Sequence, residues 1–117
     1  MNVETLRNYV LQKAHVTEET PFGPDNLVYK IGGKMFMLIS LNDQPLRFNV
    51  KCNPERALQL RESHSWILPG YHMNKKHWNT VIADIDADQH LLLELIDHSY
   101  NLVYESLPAK IRKALES

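Results

Sequence analysis

The densest set of chemically capable residues lies between Pro69 and Thr80, where the chain reads P-G-Y-H-M-N-K-K-H-W-N-T. Lys75 and Lys76 supply cations for phosphates. Asn74 and Asn79 carry amides that can pair with base edges, His72 and His77 are further polar groups, and Tyr71 and Trp78 offer rings for stacking. A loop after Pro69-Gly70 can expose such groups together. A plainer reading makes Tyr71 and Trp78 core anchors and leaves the lysines solvated. In either case Trp78 is expected to act mainly in packing.

Other groups assemble less well. Cys52 lies between Lys51 and Asn53. A nearby cation and a helix start can lower a thiol pKa. A nucleophile also needs a base and an oxyanion site, and no signature supplies them; a small, partly buried residue at a strand end is the simpler role. Asp84, Asp86 and Asp88 alternate like the start of a calcium loop. The pattern then breaks, with Gln89 where glycine is needed and Leu95 where a bidentate glutamate is needed. These acids read instead as a helix start, with Asp86 and Gln89 forming a capping box. His90 and His98 share a helix face but stand about 12 Å apart along it, too far for one ion. His72 and His77 diverge on any regular element, and only a loop could bring them together. There is no Walker loop, no G-x-S-x-G and no G-x-G-x-x-G. The expectation is therefore no catalytic centre, no structural metal and no cofactor.

The elements that must position these residues follow from local pattern. Residues 2–13 read as a helix capped by Asn2, with Val3, Leu6 and Val10 on one face. A strand over 17–22 is weakened by Pro21. Leu27 to Ile31 and Lys34 to Leu41 are β-rich runs joined by Gly32-Gly33, a hairpin link that places both residues at positive φ. After a turn at Asn42 to Pro45, Leu46, Phe48 and Val50 alternate with Arg47, Asn49 and Lys51. Residues 27–51 should thus form a three-stranded antiparallel meander, with the apolar set inward and Arg47, Asn49 and Lys51 outward. Asn53-Pro54 opens a helix to about Ser63. Trp78 to Ala83 reads as a strand. A long helix starts near Asp86 or Asp88 and reaches Ser106, with a stripe of Leu92, Leu95, Ile96, Ser99 and Val103. Leu107-Pro108 ends it, and 109–116 forms a last short helix. Strands and helices are largely segregated, so the expected class is α+β.

At 117 residues with 44% hydrophobic and 23% charged residues, the chain suits one domain over 1–117 with a core of its own. No apolar run approaches membrane-spanning length, and no signal peptide is expected. One cysteine fits a reducing compartment, and hence the cytoplasm. The net charge of −1 argues against strong polyanion binding, but it conceals an asymmetry. Residues 44–79 carry six basic and two acidic side chains, whereas 80–107 carry six acidic and no basic ones.

The 69–81 segment P-G-Y-H-M-N-K-K-H-W-N-T-V, with P-F-G-P-D-N-L-V-Y-K-I-G-G-K-M-F at 21–36, resembles the MmcQ/YjbR family of small bacterial proteins. The likeness continues through L-R-F-N-V-K-C-N-P at 46–54 and L-I-D-H-S-Y at 95–100. It implies a CyaY-like (frataxin-like) fold with an antiparallel sheet and a DNA-binding role, an association through fold more than through a site. On this chain the matching motif positions are His72, Asn74, Lys75, Lys76, His77, Trp78 and Asn79, with Arg47 and Lys51 on a polar strand face. DNA bound weakly and in a salt-sensitive way is the expected partner, with an unidentified protein as a further candidate. The frataxin-like fold also suggests an alternative, a non-enzymatic module that binds metal or a protein through acidic residues. Its first helix should then be acidic, whereas residues 2–13 hold only Glu4 beside Arg7 and Lys13.

Overall fold

The computed structural model describes residues 1–117. Helix α1 (Val3–Leu11) begins where the Asn2 side chain accepts the Thr5 amide, and it buries Leu6 and Val10. Four strands follow: β1 (Val16–Glu19), β2 (Asn26–Ile31), β3 (Lys34–Ser40) and β4 (Arg47–Lys51). Helix α2 (Pro54–Ser63) is capped by Asn53, with Pro54 in the first turn. Strands β5 (Ile67–Pro69) and β6 (Trp78–Ile82) precede the long helix α3 (Gln89–Ser106) and the short helix α4 (Ala109–Glu116). The six strands form one antiparallel sheet in the order β1-β2-β3-β4-β6-β5. The fold is α+β.

The expected meander is present as β2, β3 and β4, and the sheet extends beyond it on both sides. Gly32 and Gly33 turn the β2–β3 hairpin with φ of 58° and 82°. Gly32 has a second reason to lack a side chain, because a Cβ there would lie 2.7 Å from Leu107 Cδ1. The early strand is shorter than the sequence suggests: β1 ends at Glu19, before Pro21, and takes an edge position beside β2. Asp88, not Asp86, caps α3, its carboxylate accepting the Leu91 amide.

Facing residues of paired strands share a side of the sheet. One side carries Tyr29, Ile31, Met37, Ile39, Phe48, Val50, Val81 and Ile67, which join the core with Leu6, Val10, Leu92, Leu95, Ile96 and Val103. The expected α3 stripe is its buried face. A bulge at the β2–β3 pairing adds Phe36 to this side. Ser99 explains its own place in an apolar stripe: its hydroxyl donates to the Phe36 carbonyl at 2.5 Å and accepts the Lys51 amide at 2.8 Å. The α1–β1 corner is tied by Arg7, which donates two hydrogen bonds to Glu18, and by the Tyr29 hydroxyl on the same carboxylate. No helix is long and apolar enough to cross a membrane.

Candidate nucleic-acid interface

With the core residues on one side of the sheet, alternation sends Arg47, Asn49 and Lys51 of β4, and Thr80 of β6, to the other. That side has no helix from this chain packed on its centre. The expected alternation holds for Phe48 and Val50, which are buried, and for Arg47 and Lys51, which are partly exposed. Asn49 also points away from the core, yet it is only 7% exposed. The backbone of the loop between β5 and β6 lies on it.

That loop is held from below by two polar side chains. The Tyr71 amide donates to Thr80 Oγ1 at 2.9 Å, and the Tyr71 carbonyl accepts from Asn49 Nδ2 at 3.2 Å. Thr80 Oγ1 in turn donates to Asn49 Oδ1 at 2.6 Å. The two buried side chains thus satisfy each other and the backbone of one loop residue, as buried polar groups must. The Tyr71 ring above them is 68% exposed, so it is not a core anchor. His72 follows with φ of 58°, a left-handed conformation unusual for a side-chain-bearing residue, and its ring lies 4.0 Å from that of Tyr71. Gly70 makes this path possible: it donates to the Trp78 carbonyl at 2.9 Å, and a Cβ there would meet Trp78 Cβ at 2.8 Å.

From the core side, Arg61 of α2 holds the same loop. Its Nε donates to Asn79 Oδ1 at 2.6 Å, and its guanidinium also donates to the carbonyls of Trp78 and Lys75. Arg61 is thus a structural cation rather than a surface one. Arg56 is also engaged, with Glu94 of α3 at 2.5 Å. Arg47, Lys51 and Lys76 form no ion pair with any carboxylate. On the helix-free face the loop and the strands enclose a cleft of about 860 Å³ whose lining includes Arg47, Asn49, Tyr71, His72 and Thr80.

A family model described as YjbR matches residues 11–102. The chain belongs to the YjbR family. It is similar to the Escherichia coli O157:H7 protein YbdF, 41% identical over 111 residues covering 94% of this chain and 90% of that protein. It is also similar to YjbR of Escherichia coli strain K12, 28% identical over 115 residues and 98% of each chain. Among solved structures, the Deinococcus radiodurans protein DR2400 superposes with a TM-score of 0.93 at 39% identity, covering 98% of this chain and 88% of that one. A Pseudomonas syringae protein superposes with a TM-score of 0.77 at 26% identity, covering 88% and 99%.

Within this YjbR-family chain the residues singled out by sequence are brought together only in part. Arg47 and His72 line one cleft, whereas Lys51 lies outside its lining and faces Trp78 of β6 in register. Lys76 is exposed, while the Lys75 ammonium donates to the Gly70 carbonyl at 3.3 Å. Asn74 is exposed, but its Oδ1 accepts the Lys76 amide and shapes the turn. His77 is half-buried, its carbonyl accepting the Cys52 amide at 2.8 Å. Asn79 is corrected outright. It faces Val50 in register, so it points into the helix layer, where it is 1% exposed and bound to Arg61 and the Ala57 carbonyl. No nucleic acid can reach it there.

The other candidates are likewise engaged in structure. Cys52 is buried, and burial pushes its thiol pKa up against the opposing pull of Arg56 and Arg61. Glu94 pairs with Arg56, and Asp97 accepts from Lys13 and the Tyr9 hydroxyl. His98 Nε2 accepts the Asn53 amide at 3.2 Å, and burial followed by the charge of Arg56 holds its pKa below the ordinary value. No group of three histidine, cysteine or acidic side chains is placed to hold one metal ion. Reasoning along the sequence missed Thr80, Arg61 and Phe22. One signal for the second face was present: β3 is apolar at consecutive positions from Met35 to Ile39, so it cannot have a purely solvated outer side.

Proposed function

We propose that this chain is a non-enzymatic, cytoplasmic module that binds nucleic acid weakly through the helix-free face of its sheet. The observation that carries the reading is the Asn49–Thr80 pair, which holds the Tyr71 backbone from two strands while leaving its ring exposed on the lining of the cleft that Arg47 also lines. Buried polar side chains at interior strand positions contribute little to a core. They are well suited to hold a loop in one conformation for contact with a partner. Arg47, Lys51 and Lys76 supply the unpaired cations, with Lys75, His72, Asn74 and His77 in the same loop region. Helix α3, which carries Glu94, Asp97 and Glu105 and no Lys or Arg, packs on the opposite side of the sheet from Arg47 and Lys51. The layer order, with helices on one face of an antiparallel sheet, also supports the CyaY-like fold that the resemblance implies.

Binding is modest in this reading. Three phosphate contacts give a log–log salt slope of about −2 on single strands and about −2.7 on duplex. The test is fluorescence anisotropy with labelled oligonucleotides across a salt series. Lys51→Ala with Lys76→Ala should weaken binding to all sequences alike and flatten the slope by about 1.5. Absence of binding at low salt, or a double variant that behaves as wild type, would refute it.

A further inference from the structure

The cleft on the helix-free face is more than a charged surface. Its apolar lining consists of Phe22, Met35, Leu38, Tyr71 and Met73. Phe22 and Tyr71 come from different loops, 20–25 and 70–77, and each is 68% exposed. Both rings leave most of their surface free on the lining of one cleft, Tyr71 with the His72 ring against it. The volume of about 860 Å³ falls in the range of small-ligand sites. The charged side chains lining it are Arg47 and Asp43, with His72 as a further titratable group. Asn49 and Thr80 are engaged with each other and with Tyr71, but Asn26, Ser40 and Asn42 also line the cleft and their side chains form no hydrogen bonds within the chain. The chemistry offered is therefore aromatic faces for a flat ring, a guanidinium for an anion, and free amides and a hydroxyl for a polar ring edge.

We propose that this cleft seats one unpaired nucleotide, with its ring against Phe22 and Tyr71 and its phosphate at Arg47, so that the face selects single strands over duplex. This rests on the nucleic-acid reading above and deepens it. A base inside a duplex is already stacked on both faces and cannot enter such a cleft without being extruded, whereas a base in a single strand is free to stack on an aromatic side chain. Lys51 and Lys76 would hold the flanking phosphates of either form. Selection then comes from the cleft alone.

The experiment compares a labelled dT12 strand with a labelled 12-base-pair duplex by anisotropy at low salt, using the full chain. The strand should bind about ten-fold more tightly than the duplex. Phe22→Ala should remove most of that advantage and leave duplex binding unchanged, while Phe22→Trp restores it. Phe22 is mostly exposed, and an unchanged thermal midpoint verifies that the Phe22→Ala fold is intact. Asp43→Asn should tighten the strand, because it removes the one acid from the lining. Equal affinity for strand and duplex, or a Phe22→Ala variant equal to wild type on the strand, overturns the cleft assignment and leaves the broader reading standing. No binding of either probe overturns both. Unlabelled dTMP distinguishes the source of the nucleotide: displacement of the strand only at far higher concentration supports the strand, and displacement at the strand's own concentration overturns strand selection in favour of free nucleotides.

Discussion

Thr80→Val tests the support beneath Tyr71 with little change of shape. The hydroxyl accepts the Tyr71 amide at 2.9 Å and donates to Asn49 Oδ1 at 2.6 Å, and both bonds are lost. The two orphaned groups differ in cost. The Tyr71 amide is part-buried at the loop surface, whereas Asn49 is 7% exposed and its Oδ1 is left unpaired in the sheet. An unsatisfied buried acceptor costs about 1–3 kcal/mol, and the expected total is about 2 kcal/mol. With an unfolding entropy near 2.1 cal/mol/K per residue, that lowers the thermal midpoint of a domain of this size by about 8 °C. Calorimetry and urea titration measure it. Asn49→Ala in the same background should add less than its effect alone, because the two side chains share one network, with a coupling of about 1 kcal/mol. Oligonucleotide affinity should fall several-fold with an unchanged salt slope, since no cation has been removed. A midpoint shift under 2 °C, about 0.5 kcal/mol, would show that the support is energetically idle. A full shift with unaltered affinity would show that it holds a loop irrelevant to binding.

Arg61→Ala should cost about 3 kcal/mol, because Asn79 is left as a buried acceptor without its charged donor; urea titration checks the loss, and Arg61→Lys should recover little of it, since an ammonium cannot span Asn79 and two carbonyls. His98 has a folded-state pKa below its ordinary 6.5, so its neutral form contributes stability that is present above that pH and lost as pH falls through the lowered value. His98→Gln keeps an acceptor for the Asn53 amide and should flatten the fall in stability as pH drops below 6.5; an unchanged profile there would contradict it. Glu18 is held below its ordinary 4.5, first by the Arg7 hydrogen bonds and also by Tyr29, with burial opposing. Its contribution is present above that value and lost on acidification, so Glu18→Gln should be less stable than wild type at pH 7, with the difference closing as pH falls below 4.5 in acid titration followed by circular dichroism.

Much of the scaffold is written locally. Asn2, Asn53 and Pro54 mark helix starts because a cap is a contact across two or three residues, and Gly32-Gly33 marks a hairpin because its turn requires positive φ at both positions. The stripe from Leu92 to Val103 and the alternation of Phe48 with Val50 identify buried faces because their periods match those of helix and strand. The cation-rich loop and its family motif are equally visible in the sequence. Which of its groups are free was decided only by tertiary structure. Asn74 and Asn79 look alike in the sequence. One lies in an exposed turn, and the other is opposite Val50 and therefore under α2, a fact of strand register. Arg61 and Lys76 are both cations, yet Arg61 is drawn beneath the loop by carbonyls 14 and 17 residues away. Asn49 reads as an outward residue, and is one, but the Tyr71 backbone covers it from 22 residues further along the chain. Period and propensity report which side of an element a residue takes. What later arrives on that side is set by long-range pairing, and that pairing joins Phe22, Arg47 and Tyr71 in one cleft.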